Sequence, residues 1–208
     1  MDNISINPIV YLIFTTFIVG FCFLKKTKLQ NRLLFFILSI YTITELFALF
    51  FNCYKISVGF LYNISIILQF IFWLLILSKV LKKQSLFFVY FFIAFATLSL
   101  FYKFSVFNNF NFVFGAILYL ILYVYENYNL LNQEKIDFFQ SNNYFLISIP
   151  IIFFLGMSFL FSFNLRALTS TIVIEKINLY TITNYFVNII YYLLINIYIY
   201  KERNLQNE

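Results

Sequence analysis

The chain has 208 residues, of which 63% are hydrophobic and 11% are charged, and its formal net charge is +6. Soluble domains carry about 25% charged residues, so a soluble fold is excluded and lipid must surround most of this chain. The sequence contains no histidine, which is a common ligand of zinc and di-iron sites. No metal ion or other cofactor is therefore predicted.

Long apolar stretches occupy most of the chain. A helix that crosses the lipid core needs about 20 apolar residues, whereas the strands of a membrane β-barrel are shorter and alternate in polarity. The continuous apolar runs favour helices. The sequence predicts an all-α polytopic membrane protein, with one membrane domain over 1–208 and a bundle of seven transmembrane helices at about 5–24, 33–52, 57–79, 85–102, 106–126, 144–163 and 178–200.

The basic residues predict the orientation of this bundle. The first apolar stretch is followed by KKTK at 25–28, and cytoplasmic loops carry an excess of Lys and Arg. An outside N-terminus puts ten basic residues on the cytoplasmic side and four on the outer side, and seven spans then place the C-terminus in the cytoplasm. This pattern and a composition typical of AT-rich genomes predict a multi-pass protein of the bacterial inner membrane. Topology and contact with the lipid bilayer explain the basic surplus, so no nucleic-acid partner is predicted.

Two connecting segments are longer than the other turns. Segment 127–143 is predicted to be a cytoplasmic loop. With the basic residues near Lys25 and Lys82, it offers a contact surface for lipid head groups or for a cytoplasmic signalling partner. Segment 164–177 is amphipathic and is predicted to fold over the outer face.

Glu45 is the only one of the eight carboxylates that lies in the interior of a predicted apolar stretch, since Glu126 stands at the edge of the fifth. A charged carboxylate in the lipid core costs at least about 2.5–3.5 kcal/mol on insertion scales, and such groups usually face the interior of a helix bundle. Burial disfavours the charged form of an acid, and no membrane-embedded Lys or Arg is available as a partner. We therefore expect Glu45 to be protonated and functional, the alternative being a buried structural acid.

Polar side chains on five predicted helices fall in the same outer half of the bundle, including the asparagine-rich segment 108–111. Tyr62 and Gln69 share one face of the third helix. On the last helix a stripe of four residues recurs every four positions on one face: Asn184, Asn188, Tyr192 and Asn196. We expect an outward-facing polar pocket whose ligand-binding residues are Glu45, Tyr62, Gln69, Asn184, Asn188 and Tyr192. For the asparagines the alternative is a structural role, because amide side chains also join helices in membranes.

Most enzyme classes need groups that this sequence lacks. Without histidine there is no Ser/His dyad and no histidine-bound zinc, and an aspartyl dyad needs a second membrane carboxylate, so no enzymatic activity is predicted. A retinal protein needs a lysine in the last helix, and 178–200 contains none. The pocket favours a non-enzymatic sensor or signalling accessory with an unknown small-molecule ligand. The alternative is a small-solute or proton-coupled transporter, which the mainly apolar inner halves of the helices disfavour.

Four short runs resemble an uncharacterised family of seven-helix membrane proteins from Bacteroidota-type bacteria: TEL at 44–46, LYNISIILQF at 61–70, NYF at 143–145 and NYFVNIIYYLL at 184–194. The resemblance implies that Glu45 matches an acid of the family's second helix, and that Asn188 and Tyr192 match an Asn and a Tyr of its last helix. Tyr62 matches a Tyr of its third helix, but Gln69 stands where the family has a second Glu. A mechanism that needs two carboxylates is therefore not implied. Members are thought to be encoded near two-component signalling genes, which favours sensing.

Overall fold

The computed structural model describes residues 7–81, 86–102, 108–162, 172–174 and 177–205. Within these ranges the chain is almost entirely α-helical, which confirms the predicted all-α class, and a short antiparallel hairpin precedes the last helix. The elements are α1 Pro8–Phe23, α2 Leu29–Cys53, α3 Gly59–Val80, α4 Leu86–Tyr102, α5 Asn109–Asn132, α6 Ile136–Phe139, α7 Asn142–Ser162, β1 Ile172–Ile174, β2 Ile177–Asn178 and α8 Leu179–Asn204.

Five of these helices are long and apolar enough to cross a membrane, namely α2, α3, α5, α7 and α8. Two shorter apolar helices accompany them, α1 with 16 residues and α4 with 17. Since about 20 residues span the lipid core, the five long helices indicate a multi-pass membrane protein. The count of seven spans stays a prediction.

The outer surface of the bundle is apolar. Large side chains such as Phe87, Phe101 and Phe110 are mostly exposed. In water a large exposed apolar surface is unfavourable and marks an interaction site, whereas lipid tails are as apolar as these side chains. The surface therefore suits a bilayer, in agreement with the composition.

The buried core is formed mainly by large aliphatic and aromatic side chains. The α2–α3 pair, joined by a short turn, packs on one side, and α7 packs against α8. Helix α5 contacts both α3 and α7, and here Phe70 of α3 stacks on Phe154 of α7 with ring centroids 4.6 Å apart. Gly156 of α7 lies so close to α8 that an added Cβ would overlap a methyl group of Val187. A glycine at this position therefore permits the close contact between the two helices.

The predicted loop at 127–143 is largely helical, which corrects the sequence-based boundary. Helix α5 continues beyond 126 to Asn132, and the short α6 follows. The polar residues at this end remain compatible with a helix, since the amide of Asn127 donates to the carbonyl of Tyr123 at 2.8 Å. The helical path ends near Glu134, whose φ of 54° lies in the left-handed region. Of the predicted outer segment 164–177, 172–174 and 177 belong to the hairpin, and the remainder lies outside the described residues.

Candidate functional site

A cavity of about 550 Å³ lies at one end of the bundle, where α1, α3, α5 and α8 begin and where α2 and α7 end. We call it the Glu45 cavity. Its volume falls within the range of small-molecule sites, about 300–1,000 Å³. All six residues predicted to bind a ligand line it: Glu45, Tyr62, Gln69, Asn184, Asn188 and Tyr192. The structure thus brings the six together, and their ligand-binding role stays a prediction.

Glu45 and Tyr62 meet across the α2–α3 pair. The Tyr62 hydroxyl donates to the Glu45 carboxyl group and lies 3.3 Å from Oε1 and 3.5 Å from Oε2. Among the described residues, no Lys or Arg forms an ion pair with Glu45. One hydroxyl uses only part of the acceptor capacity of a carboxylate. Glu45, which lines the cavity, therefore retains acceptor positions for a further donor.

The predicted asparagine stripe of α8 divides between two environments. The amide Nδ2 of Asn188 donates to the carbonyl oxygen of Asn184 at 2.8 Å and to its side-chain Oδ1 at 2.9 Å. These two amides are linked along α8 at the cavity wall. Asn196, further along the same helix, donates from Nδ2 to the hydroxyl of Thr16 on α1 at 2.9 Å. Asn196 therefore joins two helices, which is the structural role that the sequence left open.

Buried aromatic side chains lie further toward the middle of the bundle than the polar lining of the Glu45 cavity. Gln69, whose Nε2 donates to the Ser65 hydroxyl at 3.0 Å, is followed one turn later on α3 by Trp73. The Trp73 indole donates to the hydroxyl of Tyr191 on α8 at 3.2 Å, and both side chains are fully buried. The stacked pair from α3 and α7 lies beside them. We call this layer the aromatic floor; it consists of Phe70, Trp73, Phe154 and Tyr191.

Asn63 and the asparagines at the start of the fifth helix do not line the cavity. The Oδ1 atom of Asn63 on α3 accepts the backbone N–H of Asn108 at 2.7 Å. The Asn108 amide donates to the carbonyl of Ser99 on α4 at 3.3 Å, and the Ser99 hydroxyl contacts Oδ1 of Asn111. The Asn108 side chain bonds to backbone groups of Ser99 and Phe110, as buried or terminal backbone groups require. Segment 108–111 therefore lies at the same end of the bundle as the cavity without adding polar groups to its lining.

The opposite end of the bundle contains a buried acid that the sequence analysis missed. Glu202 on α8 is 1% exposed, and Nζ of Lys28 lies 2.6 Å from its Oε1 atom. The amide of Asn31 on α2 donates to Oε1 at 3.3 Å, and the amide of Asn142 on α7 donates to Oε2 at 3.0 Å. The Tyr198 hydroxyl donates to Oδ1 of Asn31 at 2.7 Å. We call these five residues the Glu202 cluster, which joins α2, α7 and α8.

Glu202 was missed because the predicted last helix ends at 200. In addition, Lys201 and Arg203 flank it, and charged neighbours of this kind are typical of a helix end that is exposed to water. In the structure α8 continues to Asn204. A signal was present in the spacing, since buried residues recur every three or four positions from Tyr191 to Glu202. One helix face therefore continues past the last apolar residue.

A second cavity, of about 850 Å³, lies beside the Glu202 cluster, between the start of α7 and the end of α8. Lys28, Asn142 and Glu202 line it, together with Lys201. It shares no lining residue with the Glu45 cavity. The aromatic floor lies between the two cavities along the bundle.

Within the described ranges, no group of three His, Cys, Asp or Glu side chains is placed to hold a metal ion. No protein-family model, curated protein or solved structure matches the chain. The resemblance to the seven-helix family of Bacteroidota-type bacteria therefore stays a prediction. The features that bear on function are the two cavities and the side chains at the two ends of the bundle.

Proposed function

We propose that this chain is a seven-span protein of the bacterial inner membrane, with its N-terminus outside and its C-terminus in the cytoplasm. It acts in this proposal as a non-enzymatic sensor or signalling accessory, and the Glu45 cavity is its outward-facing ligand pocket. One observation carries the proposal: polar side chains from α2, α3 and α8 converge on one cavity of small-molecule size.

The distribution of charge supports the orientation. Of the described basic residues, Lys55 lies at the end that contains the Glu45 cavity. The others lie at the opposite end of the bundle: Lys25, Lys26, Lys28, Arg32, Lys79, Lys135, Lys201 and Arg203. Because cytoplasmic segments of membrane proteins are enriched in Lys and Arg, this asymmetry supports a cavity that faces outward.

Two helices provide a physical connection from the cavity to the cytoplasmic end. Helix α2 carries Glu45 near one end and Asn31 near the other, and α8 carries Asn188 and Glu202 in the same way. A ligand changes a conformational equilibrium only if it binds the two conformations with different affinity. If α2 and α8 shift relative to each other, a ligand held between them would bind the two conformations with different affinity. The same shift would alter the Glu202 cluster.

The aromatic floor favours sensing over transport. A transporter must carry its substrate past the middle of the bundle, where Trp73 and Tyr191 are fully buried and hydrogen-bonded to each other. A pocket above a buried, hydrogen-bonded aromatic layer suits a protein that binds a ligand and passes on a conformational change. A small-solute or proton-coupled transporter remains the alternative, and uptake by proteoliposomes would support it.

The proposal is tested by purification of the full chain from native membranes, followed by mass spectrometry of bound proteins and small molecules. Glu45→Ala is expected to lose a small molecule that the unchanged protein retains, and to change the amount of a co-purified protein. Glu45→Gln is expected to have the same effects, because the amide can neither ionise nor exchange a proton with a ligand as the carboxyl group can.

The matched control is Glu134→Gln, which makes the same chemical change at the opposite end of the bundle, outside the cavity. It is expected to leave the bound small molecules unchanged, and it serves as the control for that readout only. If the two Glu45 variants stay folded, as judged by circular dichroism and gel filtration, and bind the same molecules as the unchanged chain, the proposed function is wrong.

A further inference from the structure

We infer that the Glu45 cavity recognises an amphipathic ammonium ion, that is, an amine cation that carries an apolar or aromatic group. The inference rests on the proposed function of the cavity as a ligand pocket, and it names the chemical class of the ligand. Charge, aromatic rings and apolar surface in the cavity point to the same class.

The charge of the cavity favours a cation. Glu45 is the acid that lines it, and no Lys or Arg is present among its described lining residues. The Tyr62 hydroxyl contacts the carboxyl group at the long distances of 3.3 and 3.5 Å. An ammonium group would offer N–H donors and a positive charge to the remaining acceptor positions. The positive charge favours the ionised form of Glu45, which burial alone disfavours, and charge-assisted hydrogen bonds are about twice as strong as neutral ones. A carboxylate ligand would instead disfavour the ionised form of Glu45 and would find no cation in the described lining.

Aromatic rings lie beside the carboxyl group. Tyr41 precedes Glu45 by one helical turn, so both lie on the same face of α2, and both line the cavity. The ring of Tyr192 on α8 packs edge-on against Tyr41, with centroids 5.9 Å apart. Faces of aromatic rings attract cations within about 6 Å, most strongly where water is excluded. A cation held by Glu45 would therefore also meet tyrosine rings.

The remaining wall is suited to an apolar group. Val10 and Ile13 of α1 face Phe153 and Met157 of α7 around the same cavity. Burial of apolar surface contributes favourably to binding in proportion to its area, and Met adapts to ligands of different shape. A fully hydrated inorganic cation would leave these side chains unused. An organic ammonium ion uses both parts of the cavity.

The test compares three probes of similar size that differ in charge: phenethylamine, phenethyl alcohol and phenylacetate, which are cationic, neutral and anionic near neutral pH. The full chain in lipid nanodiscs is titrated with each probe, and the fluorescence of Trp73 is recorded. Trp73 is the only tryptophan of the chain and lies in the aromatic floor. We expect phenethylamine to bind at least about tenfold more tightly than phenethyl alcohol, and phenylacetate to bind more weakly than either.

Variants assign the preference to Glu45. Glu45→Gln is expected to weaken phenethylamine binding by about tenfold and to leave phenethyl alcohol binding unchanged, and Glu134→Gln is expected to alter neither. Tyr62→Phe, which keeps the carboxyl group, should retain the preference for the amine. The inference is overturned if phenethylamine does not bind saturably, if the alcohol or the carboxylate binds as tightly, or if the preference survives in Glu45→Gln. Binding of the uncharged or anionic probe as tight as that of phenethylamine would overturn the ammonium class alone, since the proposed function depends on the separate purification from native membranes.

Discussion

The two ends of the bundle each contain an acid on a membrane helix, and the two acids differ in their partners. Glu202 is surrounded by a lysine and an amide at the start of α2 and by a second amide at the start of α7. Glu45 has one tyrosine hydroxyl at long hydrogen-bond distance and, among the described residues, no basic partner. The first acid is satisfied by the protein itself, whereas the second is left with open acceptor positions beside a cavity.

This difference separates a structural acid from a candidate binding acid. A buried charge is costly unless it is paired and hydrogen-bonded, and the Glu202 cluster supplies both conditions. The contacts of Glu45 do not satisfy it in the same way, so its position needs another explanation, such as a ligand that supplies the missing donors. Removal of the Glu202 carboxylate should therefore lower the free energy of unfolding, whereas removal of the Glu45 carboxylate should leave it almost unchanged or raise it.

The largest effect is expected at the Glu202 cluster. Glu202→Ala leaves Lys28 without its partner and two amide donors without their acceptor. We expect the free energy of unfolding to fall by about 2–4 kcal/mol, somewhat less than for a fully buried pair because Lys28 is partly exposed. The measurement is unfolding of the purified chain by SDS in mixed micelles.

Glu202→Gln and Glu134→Gln are the controls for this measurement. The amide of Glu202→Gln keeps the size and one acceptor oxygen, so its effect should be intermediate, and Glu134→Gln should have almost none. A loss below about 0.5 kcal/mol in Glu202→Ala, the range of ordinary surface substitutions, would contradict the structural assignment of Glu202.

The next effect is expected where α7 meets α8 beside the Glu45 cavity. The methyl group of Gly156→Ala would overlap Val187, next to the cavity residues Met157 and Asn188. Overpacking of this kind typically costs about 1–3 kcal/mol, measured again by SDS unfolding. Val187→Ala introduced together with Gly156→Ala should recover part of the loss, and additive losses would show that the two positions are not in contact.

The helices could be predicted because apolar composition and membrane thickness define them almost independently of tertiary contacts. The six cavity residues could be predicted because polar groups in an apolar helix stand out, and helical spacing puts them on a common face. Polarity and spacing alone do not separate Asn108 and Asn111 from these six, since a sequence does not say whether an amide faces a cavity or bonds to a neighbouring helix.

The Glu202 cluster shows the opposite limit of prediction. Its acid lies between Lys201 and Arg203, and its partners Lys28 and Asn31 lie before the predicted second helix at 33–52. Hydropathy therefore places all of them in solvent. Only the packing of α2, α7 and α8 brings them together and buries the carboxyl group, and that packing is not encoded in any single segment.

A smaller effect should distinguish two asparagines of the same helix. Asn196→Ala removes the hydrogen bond to Thr16 that joins α8 to α1. We expect a loss of about 0.6–1.7 kcal/mol, as for other interhelical polar contacts in membranes. Asn188→Ala removes contacts within α8 only and should cost less. If Asn188→Ala costs more than Asn196→Ala in SDS unfolding, the amide at the cavity has a structural role after all.

The smallest effect on stability is expected for Glu45→Gln. The amide keeps the shape of the side chain and an oxygen that accepts from Tyr62, and it removes an acid for which the described residues provide no cation. The free energy of unfolding should stay within about 1 kcal/mol of the unchanged chain or rise, as when other buried charges are replaced. SDS unfolding of Glu45→Gln beside Glu202→Gln provides the direct comparison. A loss of unfolding free energy in Glu45→Gln as large as that in Glu202→Gln would mean that both acids stabilise the bundle. A Glu45→Gln protein that stays stable but no longer prefers a cationic probe would show that Glu45 serves ligand binding rather than folding.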